Sequence, residues 1–249
     1  MIRIIISGIA GRMGRRIGIL ASKDSDFEIA GALEFPESPA IGKDAGELLG
    51  IGNIGKKVQS GIGNIGAAGD VIIEFTTPDA TIARLEEASK KKIAMVIGTT
   101  ALSSQQVEKI HKASRDIPIV LSPNMSVGAN LMFKITEQAA RLLGKDYDVE
   151  IIEAHHDKKK DAPSGTAKRL GEAVLNVKGK IPPIHSIRLG DIVGDHTVIF
   201  AGNGERLELT HRAHSRDAFA KGALGAAKFL TAKKSGLYHM HDVIQSSHK

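Results

Sequence analysis

At 249 residues with 42% apolar side chains, the chain can bury one large core or two small ones, which excludes a disordered segment. It has no cysteine, so disulfides, thiolate catalysis and cysteine-held metals are excluded. The net charge of +6 suits an anionic cofactor and an anionic substrate; with 4% aromatics, no tryptophan and no helix-turn-helix or zinc-finger spacing, nucleic acid is not an expected partner.

No stretch approaches the roughly 18 apolar residues of a membrane span. The N-terminal MIRIIISG runs straight into a strand pattern and lacks the features of a signal peptide, so a cytoplasmic protein without a membrane partner is expected.

Residues 2–6 (IRIII) read as a buried strand, followed by a glycine-rich turn from Gly8 to Gly14 and a helix through Leu20. Phe27–Leu33 reads as a second strand and Val71–Phe75 as a third. Between them GIGNIG occurs twice, at Gly50–Gly55 and Gly61–Gly66; two copies make no solenoid, and the stretch reads as a loop with short turns. A helix follows over about 79–91, then short strands at Ala94–Ile97 and Ile117–Leu121 flank a helix over 103–114 with Ser103 as N-cap. Strands alternating with helices imply a parallel α/β sheet.

The pattern changes after Ser122. Val127–Leu143 reads as a long amphipathic helix, Val149–Ala154 as a strand and Thr166–Val177 as a helix. Ile187–Leu189, Thr197–Ala201 and Arg206–Thr210 alternate like antiparallel strands, with Gly202-Asn203-Gly204 as a hairpin turn. Asp217–Thr231 returns to a helix that could rejoin the first domain. The expected architecture is a Rossmann-like parallel sheet domain over 1–122 and 213–249, with an α+β domain carrying a mixed sheet over 123–212.

Gly8-x-x-Gly11-x-x-Gly14, between a strand and a helix, has the mechanics of a dinucleotide fingerprint: a tight turn, close backbone approach to a pyrophosphate and close helix–strand packing. Glu34, 20 residues beyond Gly14, stands where an acid accepts the ribose hydroxyls. Arg12, Arg15 and Arg16 add positive charge near the phosphates. Glu34 argues for NADH, with NADPH tolerated.

The run Glu153–Ala167, EAHHDKKKDAPSGTA, concentrates two histidines, three lysines and a Ser-Gly-Thr that opens a helix. An imidazole donates a proton near neutral pH, Lys159 can hold an anion or share that proton, and the N–H groups around Ser164, Gly165 and Thr166 form an anion site. Glu153 or Asp161 could orient these groups. Adjacent histidines lack the i, i+4 spacing of a helical zinc site, so no metal is expected.

Together, GxxGRMG at the start, GTT at Gly98–Thr100, SPNMSVGAN at Ser122–Asn130, the 153–167 run, HRAHSRDAFAKGAL at His211–Leu224 and GLYHMHDV near the end resemble the 4-hydroxy-tetrahydrodipicolinate reductase (dihydrodipicolinate reductase) family over essentially the whole chain. The resemblance implies reduction of a cyclic dicarboxylate imine by NADH or NADPH in lysine and diaminopimelate synthesis. It also implies a second domain that holds the substrate and builds a homotetramer. It places His155 as proton donor, Lys159 as its assistant, and His156, Ser164, Gly165 and Thr166 on the substrate. Gly8, Gly11, Arg12, Met13, Gly14, Glu34, Gly98, Thr99, Thr100, Ser122, Pro123, Asn124 and Met125 fall on the cofactor. Two departures stand out. Ala101 replaces a glycine that many members carry, which is expected to do little. Phe35 replaces a basic residue beside the ribose-binding acid, which weighs against a strong NADPH preference.

Overall fold

Isoleucine-rich runs make strands buried on both faces, and the first of them lies inside the sheet of its unit. In the computed structural model, which describes residues 1–63, 65 and 69–246, β1 (Ile2–Ser7) turns Ile4 and Ile6 to one face of the sheet and Ile5 to the other, all fully buried. The first face packs against Ile17 and Ala21 of α1 (Arg12–Ala21) and against Ala220, Ala223 and Ala227 of the late helix Asp217–Leu230. The second packs against Ile82 and Leu85 of Pro78–Lys91 and Ile110 of Ser104–Ala113. Helices therefore cover both faces.

Along the chain the sheet continues with β2 (Phe27–Leu33), the short α2 (Ala45–Leu49), β3 (Val58–Gln59), β4 (Val71–Glu74), α3 (Pro78–Lys91), β5 (Ala94–Ile97), α4 (Ser104–Ala113) and β6 (Pro118–Leu121). Ser103 forms a full capping box with Gln106 at the start of α4. All pairings are parallel, in the order β11-β6-β5-β4-β1-β2-β3, where β11 is Gly236–Tyr238 near the C-terminus. The order reverses between β1 and β4. In an open α/β sheet a ligand crevice forms at the carboxyl ends of the strands that flank such a reversal.

The chain divides into two compact units, 1–125 with 219–249, and 126–218. The breaks thus fall after Met125 and Ala218, a few residues beyond the expected 122 and 212. Met125 belongs to the first unit because its backbone packs on the late helix: a Cβ at Gly222 would lie 1.7 Å from the Met125 carbonyl oxygen.

In the second unit α5 (Val127–Leu143) and a short 3-10 turn lead into β7 (Asp148–His155), α6 (Gly165–Lys178), β8 (Ile184–Arg188), β9 (Asp195–Ala201) and β10 (Arg206–Arg212). The sheet order is β10-β9-β7-β8. Here one expectation is corrected. The strand around Ile187 begins earlier, at Ile184, and pairs in parallel with β7 instead of antiparallel with its successor β9. The reason is topological: α6 is a crossover helix, and a strand–helix–strand unit returns its second strand parallel to the first. Only β9 and β10 form the antiparallel hairpin, closed at Gly202–Glu205. Val149 and Ile151 on β7, Val198 and Phe200 on β9, and Leu170 and Val174 on α6 make the core, capped from above by Met132 and Ala140 of α5.

After β10, α7 (Asp217–Leu230), β11 and α8 (Met240–Ser246) complete the first unit; β3, β11, α2 and α8 were not expected from the sequence. The first GIGNIG copy wraps around Asp44, whose carboxylate accepts N–H groups from Gly46, Glu47, Ile54 and Lys56 at 2.8–3.2 Å. Burial pushes the Asp44 carboxyl up, and these four donors more than reverse it, leaving it below the usual range. The second copy lies partly outside the described residues. No helix among the described residues is long and apolar enough to cross a membrane.

Candidate active site

The first unit carries a cleft of about 900 Å³ at the carboxyl ends of β1 and β4. Ser7, Gly8 and Gly11 line one side, Phe75 and Thr76 another, and Glu34 and Phe35 the mouth of β2. The glycines there are steric requirements. Gly8 has φ 81, and a Cβ at Gly14 would sit 2.1 Å from the Gly8 carbonyl oxygen. Gly11 caps α1 with no side-chain hydrogen bond, so the first turn of the helix presents its N–H groups to the glycine loop. Glu34 ties the same loop down, since its Oε1 accepts the Ala10 N–H at 2.7 Å.

Of the remaining residues assigned to the cofactor, Arg12 is exposed at the start of α1, and Met13 packs partly against the sheet core. Gly98 is buried, and a Cβ on it would meet the Phe75 ring at 2.2 Å. Thr99 bonds Thr81 through its hydroxyl at 2.7 Å, and Thr100 is exposed. Ser122 donates to the Asn124 carbonyl at 2.7 Å; Pro123 is exposed and Met125 buried. Ala101 lies at φ 61. A side chain in this left-handed region costs about 1 kcal/mol, so the exchange of glycine for alanine is not silent in the backbone.

Two cations of this cleft, and one buried acid at the end of β4, were not singled out from the sequence. Arg84 and Lys43 line it as further cations. Glu74, fully buried at the end of β4, has its carboxyl pushed up by burial, an effect only partly opposed by Thr76 and Ser7.

The second unit builds its polar cluster on one strand. β7 alternates, so Val149, Ile151, Glu153 and His155 share its buried face. The face is apolar for two positions and then becomes ionisable at the carboxyl end of the strand. Glu153 is fully buried. Its Oε2 lies 2.5 Å from His155 Nδ1, and its Oε1 accepts the Ser164 N–H at 3.2 Å. The Arg188 guanidinium grips both oxygens, at 2.8 and 2.9 Å. Burial alone would raise the Glu153 carboxyl; Arg188, then Ser186 and His155, overcome it and hold the group at about 2.

An ionised carboxylate only accepts, so His155 donates from Nδ1 and leaves Nε2 as its exchangeable nitrogen. Gly194 gives Nε2 room: a Cβ there would lie 3.1 Å from it. Burial pushes His155 below the ordinary histidine value; Glu153 opposes this, while Lys159 and Arg188 add to it.

Lys159 is half-buried, with Nζ 2.8 Å from Asp161, whereas Lys158 and Lys160 point to solvent. His156 is half-buried beside it. Ser164 caps α6, accepting the Ala167 N–H at 3.2 Å, and nothing lies within 4 Å of where a Cβ on Gly165 would be. Thr166 is buried in the same first turn. Within this unit His155 and Ser164 meet the Glu153 carboxylate directly, Gly165 and Thr166 follow in the turn that Ser164 opens, and the Lys159 carbonyl reaches it through Arg188.

Sequence reading missed Arg188 and His196. His196 stands opposite Glu153 on β9, 3.1 Å from the Ser164 hydroxyl and edge-on to the His155 ring. A repeat of this motif caps the neighbouring helix, where His211, paired with His196 across β9 and β10, lies 3.2 Å from Ser126 at the start of α5.

Two family descriptions cover the chain: "Dihydrodipicolinate reductase, N-terminus" matches residues 2–125, and "Dihydrodipicolinate reductase, C-terminus" matches 128–244. A relative named 4-hydroxy-tetrahydrodipicolinate reductase in Syntrophus aciditrophicus (strain SB) is 45% identical over 98% of both chains. One of the same name in Nitrosomonas eutropha (strain DSM 101675 / C91 / Nm57) is 46% identical over 98% of both. A solved dipicolinate-bound dihydrodipicolinate reductase from Paenisporosarcina sp. TG-14 shares the fold with a TM-score of 0.79, at 24% identity over 96% of this chain and 97% of that one.

Burial, reinforced by His155, pushes His196 down to about 3. The unfolded imidazole takes its proton near about 6.5. Stability from keeping His196 neutral is therefore present above about pH 6.5 and lost as pH falls toward the folded value. Thermal melts between about pH 7 and about pH 4 should show a smaller fall in Tm for His196→Gln than for the wild type. Equal falls would show that His196 does not carry this dependence.

Proposed function

The chain belongs to the dihydrodipicolinate reductase family, and we propose that it reduces 4-hydroxy-tetrahydrodipicolinate to tetrahydrodipicolinate with NADH or NADPH in lysine and diaminopimelate synthesis. The observation that carries this reading beyond family membership is the Glu153–His155 hydrogen bond beside Lys159 and the capped turn at Ser164. It joins a proton-handling group to an anion-holding turn, which a dicarboxylate imine requires.

The cofactor, when bound, supplies the hydride. Its fit rests on the cleft at the β1–β4 reversal, where Gly8 and Gly11, with Gly14 packed behind them, would meet the pyrophosphate and Glu34 the ribose; Gly98–Thr100 and Ser122–Met125, which do not line that cleft, are assigned to the nicotinamide end on the family resemblance. Arg15 and Lys43 in the same cleft supply cations for a 2′-phosphate, which supports NADPH as well as NADH.

Reduction leaves negative charge on the substrate that a proton must quench. His155 delivers that proton from Nε2, while Glu153 fixes its tautomer and stabilises the imidazolium form. Lys159 assists as a half-buried cation held by Asp161. The substrate carboxylates are held by Lys159, His156 and the turn Ser164–Gly165–Thr166.

The face of the second sheet turned away from its helices carries Ile152, Ile187 and Ile199 without full burial. We assign this face to contact between copies of the chain, in the homotetramer expected of the family.

Adding the fresh condensation product of pyruvate and aspartate semialdehyde should trigger oxidation of NADH and of NADPH. No oxidation, with turnover of homoserine or aspartate instead, would overturn the assignment. Lys159→Ala should lower kcat by about 10²- to 10⁴-fold with NADH affinity nearly intact, and normal turnover would refute its role. Glu34→Ala should weaken NADH more than NADPH in a binding titration; equal losses would mean the carboxylate does not meet the ribose. Sedimentation equilibrium should give a tetramer that Ile199→Asp dissociates, and a monomeric wild type would remove the interface.

A further inference from the structure

Arg188 ends β8 directly beside His155 in the β7–β8 register, and its side chain is largely buried at 19% exposure. A guanidinium has five N–H donors, and all five are engaged. Nη1 donates to Glu153 Oε2 at 2.9 Å and to the Ile187 carbonyl at 2.7 Å. Nη2 donates to Glu153 Oε1 at 2.8 Å and to the Asp161 carbonyl at 2.6 Å. Nε donates to the Lys159 carbonyl at 3.2 Å.

The fork grips the carboxylate that orients His155, and two of the three remaining donors hold the segment that carries Lys159. That segment, between β7 and α6, has neither helix nor strand to fix it. Lys159 and Asp161 bond one another by their side chains, yet both backbone carbonyls turn to Arg188.

From this geometry we infer that Arg188 is a positioning residue for the reduction: one guanidinium locks the Lys159 loop onto the Glu153 carboxylate, so the two proton-handling side chains are set by a single group. The inference rests on the reductase reading above. A lysine cannot replace it. An ammonium has three donors on one nitrogen and no planar fork, so it can neutralise Glu153 but cannot bridge to both carbonyls. Arg188 is also one of the charges facing His155, with Glu153, Lys159 and the neighbouring His196 ring. Removing its positive charge lets His155 take a proton more readily.

The test uses the full chain as Arg188→Lys and Arg188→Gln. Steady-state kinetics on the condensation product are paired with a nitrogen-15 NMR titration of the histidine side chains. Arg188→Lys, which keeps the charge and guards against loss of the fold, should lower kcat by about a hundredfold while KM for NADH stays within about twofold. Arg188→Gln should raise the titration midpoint of His155. Wild-type kcat in Arg188→Lys would overturn the proposal, as would an unmoved His155 midpoint in Arg188→Gln. The NMR arm needs no substrate. A wild-type protein that fails to oxidise NADH would therefore sink the reductase reading, while the Arg188–Glu153–His155 linkage would still stand or fall on its own titration.

Discussion

The second unit depends on one buried carboxylate. Glu153 sits with no exposure on the inward face of β7, where Val149 and Ile151 precede it, and an isolated charge there would be unstable. Its hydrogen-bond partners make it tenable, and they come from three different parts of the site. His155 is its strand neighbour two residues on, Ser164 opens α6, and Arg188 comes from the adjacent strand. The requirement to satisfy one charge therefore fixes an imidazole, a helix start and a loop together. Removing one partner of such a buried pair typically costs about 3–5 kcal/mol, because the other is left charged in an apolar setting.

The first unit works through close approach instead of charge. Its strands are apolar on both faces, so polar function can gather only where they end, and the reversal of strand order between β1 and β4 opens the crevice there. The turn after β1 closes only because side chains are missing: Gly14 lies so near the Gly8 carbonyl that not even a methyl group fits. Glu34 contributes to the same end by bonding the loop at Ala10. Asp44 does for the 44–56 segment what Glu153 does for the second unit, gathering backbone N–H groups around a carboxylate.

The long elements were legible because their periodicity is strong. Val127–Leu143 was read with its final bounds, and Phe27–Leu33 likewise. The short ones were not. β3 spans two residues and β11 three, so neither shows a period, and both exist because a neighbouring strand offers an open edge. The pairing of β8 was invisible for a related reason: IHSIR carries the alternation of any strand, and only the α6 crossover sets it parallel beside β7.

Local spacing was enough to show the glycine turn with its acid on a parallel sheet, and the charged run from Glu153 to Ala167. These signals lie within a few turns of chain, where residue type and φ/ψ preference act directly. The partners of Glu153 were another matter. Arg188 is 35 residues away, and His196, which braces Ser164, is 32 residues from it. Nothing in their own neighbourhoods marks them. They acquired their roles when β8 and β9 paired on either side of β7, because hydrogen bonds between strands join residues by register and not by distance along the chain.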